Sequence, residues 1–161
     1  MEQFLETALA AARSAAQVAL GYYRGEFEVE VKSDQTPVTF ADRKAEEIIR
    51  GTLLETFPDH GFFGEESGKQ QEDAEYLWLV DPIDGTKSFV GGYGMWSTQI
   101  ALMHRGELVL GVSSAPATRE LAYAARGLGA FLDGEAIYVS EKSVLEEASV
   151  STGNLQTMAR S

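Results

Sequence analysis

The chain has 161 residues, a length that suits one domain, and 44% of them are apolar, enough to bury a core. With 13 basic and 25 acidic side chains its formal charge is −12, a surface that repels nucleic acid and anionic membranes. It has no cysteine, which excludes disulfides, zinc–thiolate sites and thiol nucleophiles and agrees with a reducing, cytoplasmic setting. Glu2, Glu6 and Arg13 interrupt the apolar positions at the start, unlike a signal peptide, and no apolar run is long enough to span a bilayer.

Residues 3–23 carry Phe4, Leu5, Ala8, Ala12, Ala15, Ala16, Ala19 and Tyr23 at helical spacing, and Gly21 and Gly25 mark the end. Phe27, Val29 and Val31 alternate with charged residues as in a half-buried strand, and residues 33–37 have loop composition. A second helix is predicted from Phe40 to Thr56. Thr39 caps it, Asp42 stands near its positive end, and Ala41, Ala45, Ile48, Ile49, Thr52 and Leu53 form the buried stripe. The pattern then changes to strands: Phe62–Phe63, Tyr76–Val80, Trp96–Met103, Leu108–Val112, Glu120–Ala125, Ala130–Phe131 and Ile137–Val139, several joined by tight turns. Phe62, Phe63, Trp78 and Trp96 read as core, and His60 and His104, in turns, as surface histidines. Two helices followed by an antiparallel meander make an α+β layer, with helices packed on a sheet. Ala148–Ser151 reads as a strand and residues 153–161 as the start of a helix. The expected division is therefore 1–140 as an α+β domain and 141–161 as the beginning of an incomplete α/β domain.

Chemistry concentrates at Asp81-Pro82-Ile83-Asp84-Gly85-Thr86, directly after an apolar strand. Two carboxylates three apart on a tight bend can face one point, and hard cations such as Mg²⁺ take oxygen ligands, including freed carbonyls such as that of Ile83. Gly85 and Thr86 offer N–H groups at a helix start, a place for an anion. Asp-Pro and Asp-Gly pairs are also turn formers, so spacing alone leaves a metal site and a plain turn both open. Gly64-Glu65-Glu66-Ser67-Gly68 follows another short strand and reads either as a ligand loop or as a solvated acidic loop. If both strand ends meet at one sheet edge, they supply the parts of a two-metal phosphoryl-transfer site. Asp42 caps its helix in any case, and a contact from it to the Thr86 hydroxyl would help activate a water. Lys32 either faces phosphate or is a solvated strand charge. No Walker loop or Gly-x-Gly-x-x-Gly is present.

These pieces, Thr39-Phe40-Ala41-Asp42, Gly64-Glu65-Glu66-Ser67 and Trp78 through Thr86, resemble the inositol monophosphatase family in order and spacing over nearly the whole chain. Residues 84–89, 97–102, 115–117 and 124–131 look most like its histidinol-phosphatase branch. The resemblance implies a layered αβαβα sandwich and hydrolysis of a small phosphate monoester, histidinol phosphate first and inositol monophosphate second. It implies two or three Mg²⁺ ions, with Mn²⁺ as a substitute. Glu65, Asp81 and the Ile83 carbonyl would hold one ion, Asp81 and Asp84 another, and Glu65 a third through water. Gly85 and Thr86 would bind phosphate. Thr86, Asp42 and Glu65 would position the attacking water, with Glu66 a further candidate. A homodimer is expected. The family normally continues, with a Trp-Asp motif that completes the second metal site, and nothing after Ser149 substitutes for it. The chain is therefore read as a fragment, half of a split protein or a processed product. The alternative function is a metal-binding module of the same fold that turns nothing over.

Overall fold

Small side chains decide how the helices sit. The computed structural model describes residues 1–25, 29–31 and 37–149. Helix α1, Glu2–Tyr22, buries Ala8, Ala11, Ala12, Ala15, Ala16 and Ala19, and α2, Phe40–Thr56, buries Ala41 and Ala45. Side chains this short allow two helices to pack closely. Both helices lie on one face of the sheet, α1 against its middle and α2 against the strand Tyr76–Asp84. The core between the layers includes Leu5, Ile49, Leu53, Phe62, Trp78, Ile100, Leu102 and Val112.

Strands β1 (Val29–Val31) and β2 (Pro37–Thr39) form a small antiparallel pair. Among the described residues the main sheet has eight strands. They are β3 (Gly61–Gly64), β4 (Gly68–Gln70), β5 (Tyr76–Asp84), β6 (Ser97–His104), β7 (Glu107–Ala115), β8 (Glu120–Ala125), β9 (Gly129–Leu132) and β10 (Glu135–Ala136). Their order is β10-β9-β8-β7-β6-β5-β3-β4. The α+β layer and both helices are as the sequence predicts.

Several expectations are corrected. The sheet is not antiparallel throughout, because β3 pairs with β5 in parallel. The strand expected to end at Val80 continues to Asp84, and its register against β6 shifts between Asp81 and Asp84. Phe63 is 41% exposed rather than core, since it alternates with Phe62 and points away from the helices. Ile137–Val139 forms no strand: after a last bond from the Ile137 N–H to the Ala130 carbonyl at 2.9 Å the chain leaves β9, and Tyr138 and Val139 are exposed. Ala148 and Ser149 are irregular, after a single 3-10 turn at Leu145–Glu147, and the rest of the expected strand and helix lies outside the described residues. His60 is half-buried rather than on the surface. Its ring stacks on Phe57 and on Tyr76, both at centroid distances of 4.8 Å.

A second apolar cluster lies beneath the end of β5. Ala19, Ala41, Ile83, Phe89 and Trp96 are buried together, flanked by Tyr22 and Tyr23. The Thr98 hydroxyl donates to the Pro82 carbonyl at 2.9 Å, and the Tyr23 hydroxyl donates to the Gly92 carbonyl at 2.8 Å. The bend that carries the acidic residues is thus fixed from below by packing and from the side by hydrogen bonds. The hollow above it is where the chemistry must be sought.

Candidate active site

Parallel pairing of β3 with β5 puts the carboxyl ends of both strands at the same edge. Gly64 is paired with Val80, and the Glu65 N–H donates to the Val80 carbonyl at 3.0 Å. Glu65 therefore emerges beside Asp81. The Glu65 carboxyl stands within interaction range of that of Asp81, an arrangement that favours a shared proton when no cation is present. Burial, then the charge and proximity of Glu65, then the charge of Asp84 push the Asp81 carboxyl up to about 8. Oδ1 of Asp81 is buried without a hydrogen-bond partner.

The bulge between Asp81 and Asp84 turns the chain outward and leaves Asp84 exposed. Gly85 follows at φ +94°, a conformation that favours glycine, and a Cβ there would meet the Met95 carbonyl oxygen at 2.8 Å. Gly85 caps α3, Thr86–Val90, whose first N–H groups have no partner within the helix, and Gly85, Thr86 and Lys87 border the same hollow. Glu65, Asp81, Ile83, Asp84, Gly85, Thr86 and Lys87 line this hollow of about 230 Å³.

Asp42 approaches from α2. It is 1% exposed, and its Oδ2 accepts from the Thr39 N–H at 2.8 Å and the Thr39 hydroxyl at 2.6 Å. Thr39 in turn accepts from the Ala41 and Asp42 N–H groups, completing a capping box. Burial raises the Asp42 pKa, and the Thr39 hydrogen bonds oppose the rise. The Thr86 hydroxyl lies 3.0 Å from the Ile83 carbonyl oxygen and 3.4 Å from Asp42 Oδ1. The shorter contact takes the proton, with Asp42 as the second acceptor within reach.

Glu65, Asp81, Ile83, Asp84, Gly85, Thr86 and Asp42 are thus brought together. Glu66 does not line the hollow; its N–H donates to Glu46 at 2.8 Å. Lys32 lies outside the described residues. The sequence reading missed Lys87, which lines the hollow, and Glu46, an acid on the buried face of α2. The signal for Glu46 was its position one turn after Asp42 on the buried stripe.

Among the described residues no three Asp, Glu or His side chains already stand together as a metal-ligand set. The donors nevertheless fit a hard cation. A carboxyl pair that otherwise favours a shared proton, an orphaned buried oxygen on Asp81 and the neighbouring Ile83 carbonyl offer oxygen ligands, with Asp84 exposed beside them.

Residues 1–160 match the inositol monophosphatase family. The chain belongs to that family. It is 44% identical over 149 residues to the histidinol-phosphatase of Chlorobaculum parvum, covering 92% of this chain and 56% of that protein. It is 41% identical over 127 residues to the inositol-1-monophosphatase of Rhizobium meliloti, covering 78% of this chain and 48% of that one. A Thermotoga maritima IMPase structure superposes with a TM-score of 0.84 at 36% identity, covering 91% of this chain and 57% of that chain. The chain thus spans about half the length of the curated relatives it matches.

Proposed function

We propose that this chain carries the metal- and phosphate-binding part of a Mg²⁺-dependent phosphatase that hydrolyses small phosphate monoesters. The observation that carries this reading is the Glu65–Asp81 pair, held side by side by parallel strands next to the N-terminus of α3. Glu65, Asp81 and the Ile83 carbonyl would hold one Mg²⁺, Asp81 and Asp84 would hold a second, and Glu65 would serve a third. Mn²⁺ serves as a substitute. Bound Mg²⁺ would acidify a water and stabilise the charge on the leaving oxygen. Gly85 and Thr86 offer N–H groups to the phosphate. The Thr86 hydroxyl, with the Ile83 carbonyl and Asp42 both in reach, orients the attacking water and passes its proton towards Asp42, while Glu65 holds the water from the other side.

Histidinol phosphate is the first substrate and inositol monophosphate the second, an order supported by the 44% identity to a histidinol-phosphatase. A cytoplasmic homodimer goes with this reading, the location supported by the absence of cysteine. We also assign residues 141–161 to the start of a second unit, because among the described residues the last main-chain bond into the sheet is that of the Ile137 N–H to the Ala130 carbonyl.

The test is phosphate release from both substrates with Mg²⁺. The reading expects faster release from histidinol phosphate, loss to background in Asp81→Asn, and about a 100-fold drop in Thr86→Ala. Equal, poor turnover of both substrates would end the histidinol-phosphate assignment. The second reading, a cation-binding module without turnover, is favoured by one fact: no Trp-Asp pair occurs among the 161 residues, so that only Asp81 and Asp84 would be left to hold a second ion. Tight Mg²⁺ binding without phosphate release would select it.

A further inference from the structure

The helix face that reaches Thr86 through Asp42 also reaches the loop that follows Glu65. Glu46 stands one turn after Asp42 on α2 and is 3% exposed. Its Oε2 accepts the Glu66 N–H and its Oε1 accepts the Ser67 N–H, both at 2.8 Å. On the other side of the same loop, the Glu65 N–H donates to the Val80 carbonyl. The backbone that presents the Glu65 side chain is therefore clamped between a helix and a strand. The approach is so close that a Cβ on Gly64 would lie 2.4 to 2.6 Å from the Glu46 carboxyl atoms, so any side chain at position 64 must displace that carboxyl. Burying an acid is costly unless its oxygens are hydrogen-bonded, and here both are spent on loop N–H groups.

We infer that Glu46 is a positioning residue for the cation site: by gripping the Glu66 and Ser67 N–H groups it fixes the Glu65 carboxyl against Asp81. The inference rests on the metal reading of that carboxyl pair. Asp42 and Glu46, one helical turn apart, make α2 a common support, Asp42 for Thr86 and Glu46 for Glu65. A residue serving only loop stability would lower the melting temperature and leave cation affinity unchanged wherever the fold is intact. A positioning residue changes affinity in a folded protein.

The experiment is calorimetric titration with Mn²⁺ alone on wild type, Glu46→Gln and Gly64→Ala, with circular dichroism and melting in chelator as the fold control. Gln keeps the size of Glu46 but sets an NH₂ against one loop N–H. Ala at 64 pushes the Glu46 carboxyl aside. Both variants, folded, are expected to bind Mn²⁺ about tenfold or more weaker than wild type. In wild type the Glu66 and Ser67 amides should be protected from hydrogen exchange. Folded Glu46→Gln with affinity within about twofold of wild type overturns the inference. So does exchange of those wild-type amides at exposed-loop rates. If Glu46→Gln does not fold, Gly64→Ala decides by the same threshold. Wild type that binds no Mn²⁺ is a different failure, that of the metal reading itself, and takes the inference with it.

Discussion

On the helix side of the sheet, Trp78, Ile100 and Leu102 are buried beneath α1 and α2. On the other side Phe63 is exposed, and a groove of about 650 Å³ runs past Leu79, Ala101, Ala122 and Ala130 to Glu65 and Asp81. The same strands make both faces, and both are apolar at alternate positions. Strands of this kind suit a sheet covered on both sides, whereas a sheet facing water shows polar residues on its outer positions. The helix side holds the fold together, and the open side ends in the acidic pair. Stability and chemistry are thus divided between the two faces of one sheet.

The largest effect that would break this contrast is in packing. Leu102→Ala should cost about 2–5 kcal/mol, because the cavity lies under two helices. Leu79→Ala on the groove side should cost about 1 kcal/mol or less, because Leu79 is already half-exposed. Urea melts measure both, and equal losses would abolish the distinction.

Next is the pH dependence of the metal-free protein. The Asp81 carboxyl keeps its proton in the fold up to about 8 but releases it near 3.8 when unfolded. Its contribution is therefore complete below the unfolded value and is lost as pH rises through about 8. Melting in chelator should show stability falling towards alkaline pH, by about 2 kcal/mol once solvent screening around a part-exposed carboxyl is allowed for. Asp81→Asn should flatten that fall. Mg²⁺ should restore wild type, but not Asp81→Asn, since the cation replaces the proton.

The smallest effect belongs to the helix side and has the opposite sign. His60, stacked between Phe57 and Tyr76, has its pKa lowered by burial. Stability from the neutral ring is full above the unfolded value of 6.5 and is lost as pH falls below it. His60→Phe should remove that acid-side slope and leave the alkaline slope of Asp81 in place. Loss of both slopes in one variant would show that the two faces titrate as a unit.

Local features were legible in the sequence because each is coded within a few residues. The span of α2 follows from its apolar period and from Thr39 and Asp42, which form the capping box. The Asp81–Thr86 bend follows from proline and glycine between acids. What escaped depends on partners distant in sequence. Phe63 alternates correctly with Phe62, but which face meets helices is not written in the alternation. Glu46 looks like any helix acid until the 64–67 loop is seen on it.

By itself the sequence determined the two helices, the meander from β5 to β9 and the two acidic segments, since periodicity, caps and turn residues act over short range. Only the tertiary structure decided that β3 runs parallel to β5. Antiparallel pairing of these two strands would put their ends at opposite edges and part Glu65 from Asp81, so the convergence that the acidic segments suggested depended on the strand direction. Strand direction depends on a crossover and on burial against distant residues, neither of which leaves a periodic mark. That one pairing brings the two carboxyls together.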